Sequence, residues 1–140
     1  MSILTNQVDE SILFLLKPKG QICYLKNTWS LRQGLEKMKH YGYTAVPVID
    51  CKGCYMGTVS EGDFLWYILG KGETDIHDQE EHFICEIIRK DYNVPVNAYS
   101  RIEELVERIM NQNFVPVVDD QNVLMGIITR QDVIRYLKEK

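Results

Sequence analysis

The chain has 140 residues, of which 45% are hydrophobic and 26% charged, and its net charge is −4 at pH 7. This length suits one compact domain or two small halves that share a core, and the composition is that of a folded globular protein rather than a disordered one. The negative net charge argues against a broad surface for nucleic acid or for an anionic membrane, because such surfaces need clustered Lys and Arg.

The first predicted element is an amphipathic helix over about residues 6–17. Its apolar run from Ile12 to Leu16 is too short for a membrane span or for the apolar part of a signal peptide, and two acidic residues, Asp9 and Glu10, precede it. We therefore expect a cytoplasmic protein.

A first unit follows, in the order strand, helix, strand, strand, helix. Ile22 to Tyr24 forms its first predicted strand, and a capping box, S-x-x-Q, starts a helix at Ser30. The β-branched run Val46 to Ile49 is typical of a buried strand. The next strand ends at Ser60, and helical spacing then continues to Gly70.

Two cysteines, Cys51 and Cys54, lie between the last two strands of this unit in the stretch CKGC. Their spacing is that of half a zinc knuckle, but Cys23 and Cys85 are isolated and do not supply a second pair. A polar hairpin turn from Asp50 to Gly53 is the simpler interpretation. We expect no metal site, and free thiols suit a reducing cytosol.

A polar segment, KGETDIHDQEEH, and a predicted short helix, FICEIIRK, occupy residues 71–90 and lead into a second unit. This unit has a predicted first strand at Val94 to Val96 and a capping box, S-x-x-E, at Ser100. A buried strand at Val115 to Val118 and a strand that ends at Thr129 follow, and the last helix runs to the chain end. The order of elements is that of the first unit.

The two units are copies of one another. Residues 44–68, TAVPVIDCKGCYMGTVSEGDFLWYI, align without a gap with residues 113–137, NFVPVVDDQNVLMGIITRQDVIRYL, at an offset of 69. The identical pairs are Val46/Val115, Pro47/Pro116, Val48/Val117, Asp50/Asp119, Met56/Met125, Gly57/Gly126, Asp63/Asp132 and Tyr67/Tyr136. An ordered set of this kind indicates an internal repeat.

The doubled pattern of strand, capped helix, VPV, hairpin and G-h-h-[ST]-x-x-D, where h is apolar, resembles a tandem pair of CBS domains, or Bateman module. The resemblance covers about residues 18–140 and implies an α/β (α+β) fold of two β-α-β-β-α repeats packed as a pseudo-twofold pair. The predicted organisation is an N-terminal helix (1–17), repeat 1 (18–70), a linker with a short helix (71–90) and repeat 2 (91–140). The chain is similar to small stand-alone bacterial CBS-pair proteins, some of which respond to cyclic di-AMP.

The resemblance also implies a ligand site in each repeat. In the family, clefts bind adenosine-containing ligands, the motif hydroxyl meets phosphate, and the aspartate accepts hydrogen bonds from ribose. These roles carry over to Ser60 and Asp63, and to Thr129 and Asp132. The residues expected to frame the purine are Ile22, Cys23, Tyr24, Thr44, Ala45, Val46 and Pro47 in repeat 1, and Val94 to Val96, Asn113, Phe114, Val115 and Pro116 in repeat 2.

Both motifs also fit a simpler role. Ser or Thr followed three residues later by an acid, before an apolar run, is a capping box that starts a helix. An additional binding role is favoured by the preceding glycines, Gly57 and Gly126, which allow a ligand to approach the backbone, and by helix-start amides, which suit an anion.

The two sites are not expected to be equivalent. Glu61 lies beside the first motif and Arg130 beside the second, so a phosphate should prefer the second. One base of a cyclic di-adenylate would then contact Thr44 and Ala45 while Arg130 meets phosphate.

The sequence shows no nucleophile paired with a base and no metal-ligand cluster, so we do not expect an enzyme. The preferred function is a regulatory sensor that binds AMP, ATP or cyclic di-AMP, requires no other cofactor, and signals to a partner protein. The alternative is a ligand-independent dimeric interaction protein with degenerate clefts. Neither nucleic acid nor a membrane is an expected partner.

A homodimer is expected, because the family dimerises through the helices that follow the two motifs. Here these helices are more apolar than one buried stripe requires. Their apolar residues are Phe64, Leu65, Trp66 and Ile68 in repeat 1, and Val133, Ile134, Tyr136 and Leu137 in repeat 2.

Overall fold

A computed structural model of the chain describes residues 11–71 and 80–139. Within these residues there are two compact units, one of residues 23–71 and 80–92, the other of residues 11–22 and 93–139. The α-helices and strands are β1 (Lys17–Pro18), β2 (Leu25–Lys26), α1 (Leu31–Tyr41), β3 (Ala45–Ile49), β4 (Tyr55–Ser60), α2 (Glu61–Lys71), β5 (Val96–Asn97), α3 (Ile102–Ile109), β6 (Phe114–Val118), β7 (Leu124–Thr129) and α4 (Arg130–Lys138). The predicted mixed α/β class and the β-α-β-β-α order of both repeats are confirmed.

The repeat 1 unit (residues 23–71 and 80–92) and the repeat 2 unit (residues 11–22 and 93–139) contain one sheet each. The repeat 1 unit has the strand order β2-β3-β4, and the repeat 2 unit has the order β1-β7-β6-β5. In both, the first strand of the repeat is parallel to the next, which pairs antiparallel with the last. The register also shifts at equivalent places, between Val48 and Ile49 and between Val117 and Val118. The repeat read from the sequence is therefore a repeat of backbone structure.

The first strand of each repeat begins later than predicted. Strand β2 is Leu25–Lys26 rather than residues 22–24, and β5 is Val96–Asn97 rather than residues 94–96. The Ile49 carbonyl accepts the N–H of Asn27, which follows β2. Backbone groups two residues apart on a strand point to the same side, so the backbone of Pro47 also faces β2. Proline has no N–H to donate there, so the parallel pairing begins only beyond it.

The capping box of helix α1 is confirmed. The Ser30 hydroxyl accepts the N–H of Gln33 at 3.1 Å, and the Gln33 side chain accepts the N–H of Ser30 at 2.9 Å. Gly42 ends the helix in the left-handed region, with φ +75°.

The predicted capping box of helix α3 is wrong. The helix begins at Ile102, and its N-cap is Arg101, whose side chain makes no capping hydrogen bond. Ser100 is instead held in a turn, because its N–H donates to the Asn97 carbonyl at 2.9 Å. The helix therefore starts one residue later than the sequence motif predicts.

The predicted helix over residues 6–17 lies partly outside the described residues. Within them the chain forms a 3-10 helix, Ile12–Leu15, followed by strand β1, which pairs antiparallel with β7. Pro18 disfavours a helical conformation at Lys17, which accounts for the extended chain there. Ile12 is fully buried in the core of the repeat 2 unit.

Residues 72–79 of the predicted linker lie outside the described residues. The predicted short helix after it is a 3-10 turn, Ile84–Glu86. Ile84 and Ile87 are buried in the core of the repeat 1 unit, so this segment packs on the repeat that precedes it.

Each unit has its own hydrophobic core between its sheet and helices. In the repeat 1 unit, Val46 and Val48 of β3 meet Phe64 of α2 and Leu31 and Met38 of α1. The equivalent core of the repeat 2 unit consists of Ile12, Val96, Ala98, Leu105, Ile109, Val115, Val117, Ile128 and Val133.

Candidate functional site

The motif of repeat 1 lies where strand β4 ends and helix α2 begins. The Asp63 N–H donates to the Ser60 hydroxyl at 3.3 Å, while Asp63 Oδ2 accepts the Ser60 N–H at 2.8 Å and the Ser60 hydroxyl at 3.1 Å. This is a complete capping box, so the structural role of the motif is real. It orients the carboxylate and uses much of its hydrogen-bonding capacity.

The motif of repeat 2 has the same position but looser bonding. Thr129 is the N-cap of α4, and its hydroxyl accepts the Asp132 N–H at 3.2 Å. Asp132 makes ion pairs at 3.6 Å to Lys17 and at 3.4 Å to Arg135. The two motif aspartates therefore differ in their bonding.

Each motif aspartate is paired with a cation from a segment that precedes the other repeat in the sequence. Arg89 Nε donates to Asp63 Oδ1 at 2.7 Å, and Lys17 Nζ lies 3.6 Å from Asp132 Oδ2. Lys17 belongs to β1, which pairs with β7, and Arg89 forms an isolated bridge with Thr58 of β4. Sequence reasoning missed both cations, because only the fold brings these segments to the motifs.

The same segments explain the glycine of each motif. A Cβ at Gly57 would lie 2.6 Å from the Arg89 carbonyl oxygen, and Gly57 has φ +152°. A Cβ at Gly126 would overlap the carbonyl oxygen of Lys17. The sequence interpretation that these glycines admit a ligand is therefore corrected, because the close approach is made by the protein's own backbone.

Thr44 and Asn113, the predicted wall residues just before each VPV, lie beside the motifs. The Thr44 carbonyl accepts the N–H of Glu61, and the Asn113 carbonyl accepts the N–H of Arg130, both at 2.9 Å. Ala45 pairs across the sheet with Ser60. The structure thus brings Thr44 and Ala45 together with the first motif.

The other wall residues fall on two faces. Cys23, Val46 and Val115 belong to the hydrophobic cores, so their side chains are used in packing. Because side chains alternate along a strand, Ala45 and Pro47 lie on the face of β3 opposite to Val46, and Phe114 and Pro116 lie on the face of β6 opposite to Val115. All four except Ala45 are buried. Ile22 is buried, Tyr24 is half-buried and Val94 is exposed.

Tyr24 and Cys23 lie near a lysine. Lys37 Nζ is 5.2 Å from the ring centroid of Tyr24 and 4.8 Å from that of Trp29. Burial raises the pKa of the Cys23 thiol, and the positive charge of Lys37 partly opposes this. Burial of Cys23 therefore favours the neutral thiol, which is the less reactive form.

Arg130, the predicted phosphate ligand, is anchored by the preceding helix. Its Nε donates to the carbonyl oxygen of Ile109, the last residue of α3, at 3.1 Å. The two terminal guanidinium nitrogens carry the remaining four N–H groups, which suit a phosphate. The side chain of Arg130 is thus tied to the end of α3, and its N–H is bonded to the Asn113 carbonyl.

A pocket of about 360 Å³ borders Asp132. Its walls include Phe14, Lys17, Arg135 and Tyr136, and the rings of Phe14 and Tyr136 meet edge to face at 4.9 Å. An aromatic wall with charged groups of both signs suits a ligand that has an apolar ring and polar substituents.

The CKGC stretch forms the hairpin turn that was predicted. One carboxylate oxygen of Asp50 accepts the N–H groups of Lys52 and Cys54, each at 2.9 Å, and Gly53 has φ +86°. All four cysteines lie in the described residues, and no disulfide joins any of them. In residues 11–71 and 80–139 no three His, Cys, Asp or Glu side chains are grouped as metal ligands. No helix in these ranges has the length and apolar character of a membrane span.

The fold and the doubled motif define a tandem-repeat module. A family profile described as CBS domain matches residues 21–70 and 84–139, and the chain belongs to this family. The resemblance found in the sequence is therefore confirmed.

Two curated archaeal proteins match the chain in sequence. The uncharacterized protein MJ1225 of Methanocaldococcus jannaschii is 25% identical over 124 residues, and the match covers 81% of this chain and 44% of that protein. The uncharacterized protein MK0525 of Methanopyrus kandleri is 24% identical over 101 residues, which are 71% of this chain and 49% of that protein. The chain thus spans about half the length of these relatives.

Several solved structures share the fold. One is a crystal structure of CbpB in complex with c-di-AMP (TM-score 0.87, 23% identity, 99% of this chain and 91% of that chain). A CBS domain-containing protein from Bacillus anthracis has TM-score 0.85 and 20% identity, and covers 98% of this chain and 99% of its own. CbpB from Listeria monocytogenes in complex with c-di-AMP has TM-score 0.78 and 22% identity, and covers 89% and 92%.

Proposed function

We propose that the protein is a regulatory module that binds an adenine nucleotide at its motifs and signals its presence to a partner protein. The observation that carries this proposal is the pair of hydroxyl–aspartate motifs at the starts of helices α2 and α4. In each, the hydroxyl accepts the aspartate N–H, and the preceding wall residue is bonded to the residue after the hydroxyl. The motif residues proposed for ligand contact are Ser60 and Asp63 in repeat 1, and Thr129 and Asp132 in repeat 2.

Cyclic di-AMP is the nucleotide that we favour, with AMP and ATP as the alternatives. Two structural relatives, both named CbpB, were solved in complex with c-di-AMP. In this chain, Arg130 at the start of α4 offers a guanidinium to one of the two phosphates, and Thr44 and Ala45 lie beside the first motif.

Titration calorimetry of Arg130→Ala and Ser60→Ala, with AMP and cyclic di-AMP in parallel, tests the proposal. Loss of the charge-assisted bonds of Arg130 should weaken cyclic di-AMP binding about ten- to a hundredfold, since such bonds contribute about 1.5 to 3 kcal/mol. Ser60→Ala should cost less, because Glu61 already repels phosphate there. Equal losses in both variants, or none in Arg130→Ala, would contradict the preference for cyclic di-AMP.

Bound nucleotide should be recovered unchanged, because the carboxylate that accepts the Ser60 hydroxyl is engaged by the Ser60 N–H and by Arg89 as part of the fold. Chromatography of AMP, ATP and cyclic di-AMP after long incubation with pure protein checks this. Conversion of many equivalents of nucleotide would require an enzyme instead of a sensor. Cysteines without disulfides suit the reducing cytoplasm in which we place the protein.

We also propose a homodimer through helices α2 and α4. Phe64 and Val133, predicted as part of this surface, are instead buried in the cores. The exposed apolar residues are Leu65, Trp66, Leu69, Ile134 and Leu137. The same residues favour the second candidate function, a dimeric interaction protein without a ligand. The calorimetry separates the two, because that protein would bind no nucleotide.

A further inference from the structure

We infer that Arg89 occupies the Asp63 carboxylate of repeat 1 and so blocks it for a ligand. A nucleotide ribose then binds at Asp132, and it binds at Asp63 only when the bond between Arg89 and Asp63 is broken. This inference rests on the proposed nucleotide-binding function and assigns Arg89 as the residue that decides which repeat is occupied. It follows from the number of acceptor positions on the two aspartates and from the way in which Arg89 is held.

The carboxylate of Asp63 is almost fully used within the chain. Oδ2 accepts two hydrogen bonds from Ser60, and Oδ1 accepts the Nε–H of Arg89 at 2.7 Å. A carboxylate offers about four acceptor positions, so one remains, and the Asp63 side chain is only 12% exposed. Two ribose hydroxyls that bind to one carboxylate need two acceptor positions. Asp63 therefore meets this need only after its bond to Arg89 is broken.

Arg89 is held in place by three further contacts. Its backbone N–H donates to the Thr58 carbonyl at 3.1 Å, and its carbonyl accepts the Thr58 N–H at 3.2 Å. Its guanidinium carbon lies 4.5 Å from the ring centroid of Tyr92. Gly57 is the residue that admits the Arg89 backbone to the strand. The cation is thus preorganised for Asp63, which makes the ion pair stronger than one between two mobile side chains.

The carboxylate of Asp132 is bound less tightly within the chain than that of Asp63. Its contacts to Lys17 and Arg135 are at 3.6 and 3.4 Å, both longer than a charge-assisted hydrogen bond. A pocket of about 360 Å³ borders it. Its carboxylate can accept ribose hydroxyls without first losing a short bond.

The test is a count of sites by titration calorimetry with AMP, which carries one ribose. The unaltered protein should bind about one AMP per chain, and Arg89→Ala should bind about two, because two of the about four acceptor positions on Asp63 are then unoccupied instead of one. The gained site should be lost again in Arg89→Ala combined with Asp63→Asn. Arg32→Ala is the matched control, since it removes an arginine of the same unit whose ion-pair partners are Glu36 and Glu80, and it should leave the count at about one.

Arg89→Gln keeps the stem of the side chain and serves if Arg89→Ala fails to fold. Two AMP sites in the unaltered protein, or an unchanged count in both Arg89 variants, would overturn the inference and leave the proposed function standing. Failure of the unaltered protein and of the Arg89 variants to bind AMP or cyclic di-AMP would overturn the proposed function, and the inference with it.

Discussion

Gly57 and Gly126 are the residues at which each motif depends most directly on the rest of the chain. Each admits a carbonyl oxygen that belongs to the residue carrying the motif cation, Arg89 or Lys17. The glycines and their position were visible in the sequence, but their role was not. A glycine in a local pattern indicates that some other group lies close to the backbone there. Only the fold shows which group that is.

Substitution of these glycines by alanine should destabilise the protein. Gly126→Ala forces a Cβ onto the Lys17 carbonyl, and Gly57→Ala adds an unfavourable φ to a similar clash, so each should lower the free energy of unfolding by about 2 kcal/mol or more. Gly70→Ala is the control, because a Cβ there meets open space in helix α2, and it should be neutral or stabilise by up to about 1 kcal/mol. Urea unfolding measures all three. Equal effects at the three positions would disprove the close approach.

Tyr55 should make stability fall at alkaline pH. Burial raises the pKa of Tyr55 to about 12, although its hydrogen bond with Thr58 lowers the pKa in part. Between pH 10 and 12 the unfolded chain loses this proton and the folded chain keeps it, so the stabilising contribution is complete below about pH 10 and is lost as pH rises towards 12. Its size is about 2 to 3 kcal/mol, from two pKa units.

The comparison with Tyr55→Phe isolates this effect from the other tyrosines. The variant should lose about 1 kcal/mol at neutral pH, because the Thr58 hydroxyl loses its buried partner, and its stability should fall less between pH 10 and 11.5. Chemical denaturation across this range gives both values. Parallel curves for the two proteins would show that Tyr55 does not titrate as its burial requires.

Helices α1 and α3 occupy equivalent places but begin differently. The chain contains S-x-x-Q and S-x-x-E at the two starts, and only the first of these motifs is a cap in the structure. The reason is the turn that Asn97 makes with Tyr99 and Ser100, which sequence spacing alone does not show. Apolar periodicity predicted both helices, whereas the exact first residue depends on the preceding turn.

These two helix starts allow a matched pair of substitutions. Ser30→Ala removes a working cap and should cost about 1 kcal/mol of unfolding free energy, whereas Ser100→Ala should cost less than about 0.5 kcal/mol. Arg101→Asp places an acceptor at the real N-cap of α3 and should stabilise by about 1 kcal/mol. Thermal or urea unfolding distinguishes these values. A large loss in Ser100→Ala would mean that Ser100 caps the helix after all.

For the whole chain, the repeat made the fold predictable. The gap-free alignment of residues 44–68 with 113–137 predicted that the hairpins and the motifs after them are equivalent, because equivalent residues adopt equivalent structure. The cations at the motif aspartates were not predictable. Lys17 lies more than a hundred residues from Asp132 in the sequence, and nothing in the repeat marks it as a partner. Long-range pairing of this kind is decided by the fold.

The proposed dimer is the prediction that concerns the whole molecule. Trp66 is 71% exposed on helix α2, beside Leu65 and Leu69, and Ile134 and Leu137 are about half exposed on α4. Exposure of apolar side chains to water is unfavourable. Burying them against a partner surface is favourable by about 25 cal/mol per Å² of apolar area.

Light scattering of the unaltered protein at micromolar concentration should therefore give the mass of two chains. Trp66→Ala should weaken the dimer about thirtyfold, since a buried interface tryptophan commonly contributes about 2 kcal/mol. Tyr99→Ala is the control, because Tyr99 is 81% exposed but lies outside α2 and α4, and it should leave the mass unchanged. A mass of one chain for the unaltered protein rules the dimer out, and equal weakening by both variants would place the interface elsewhere.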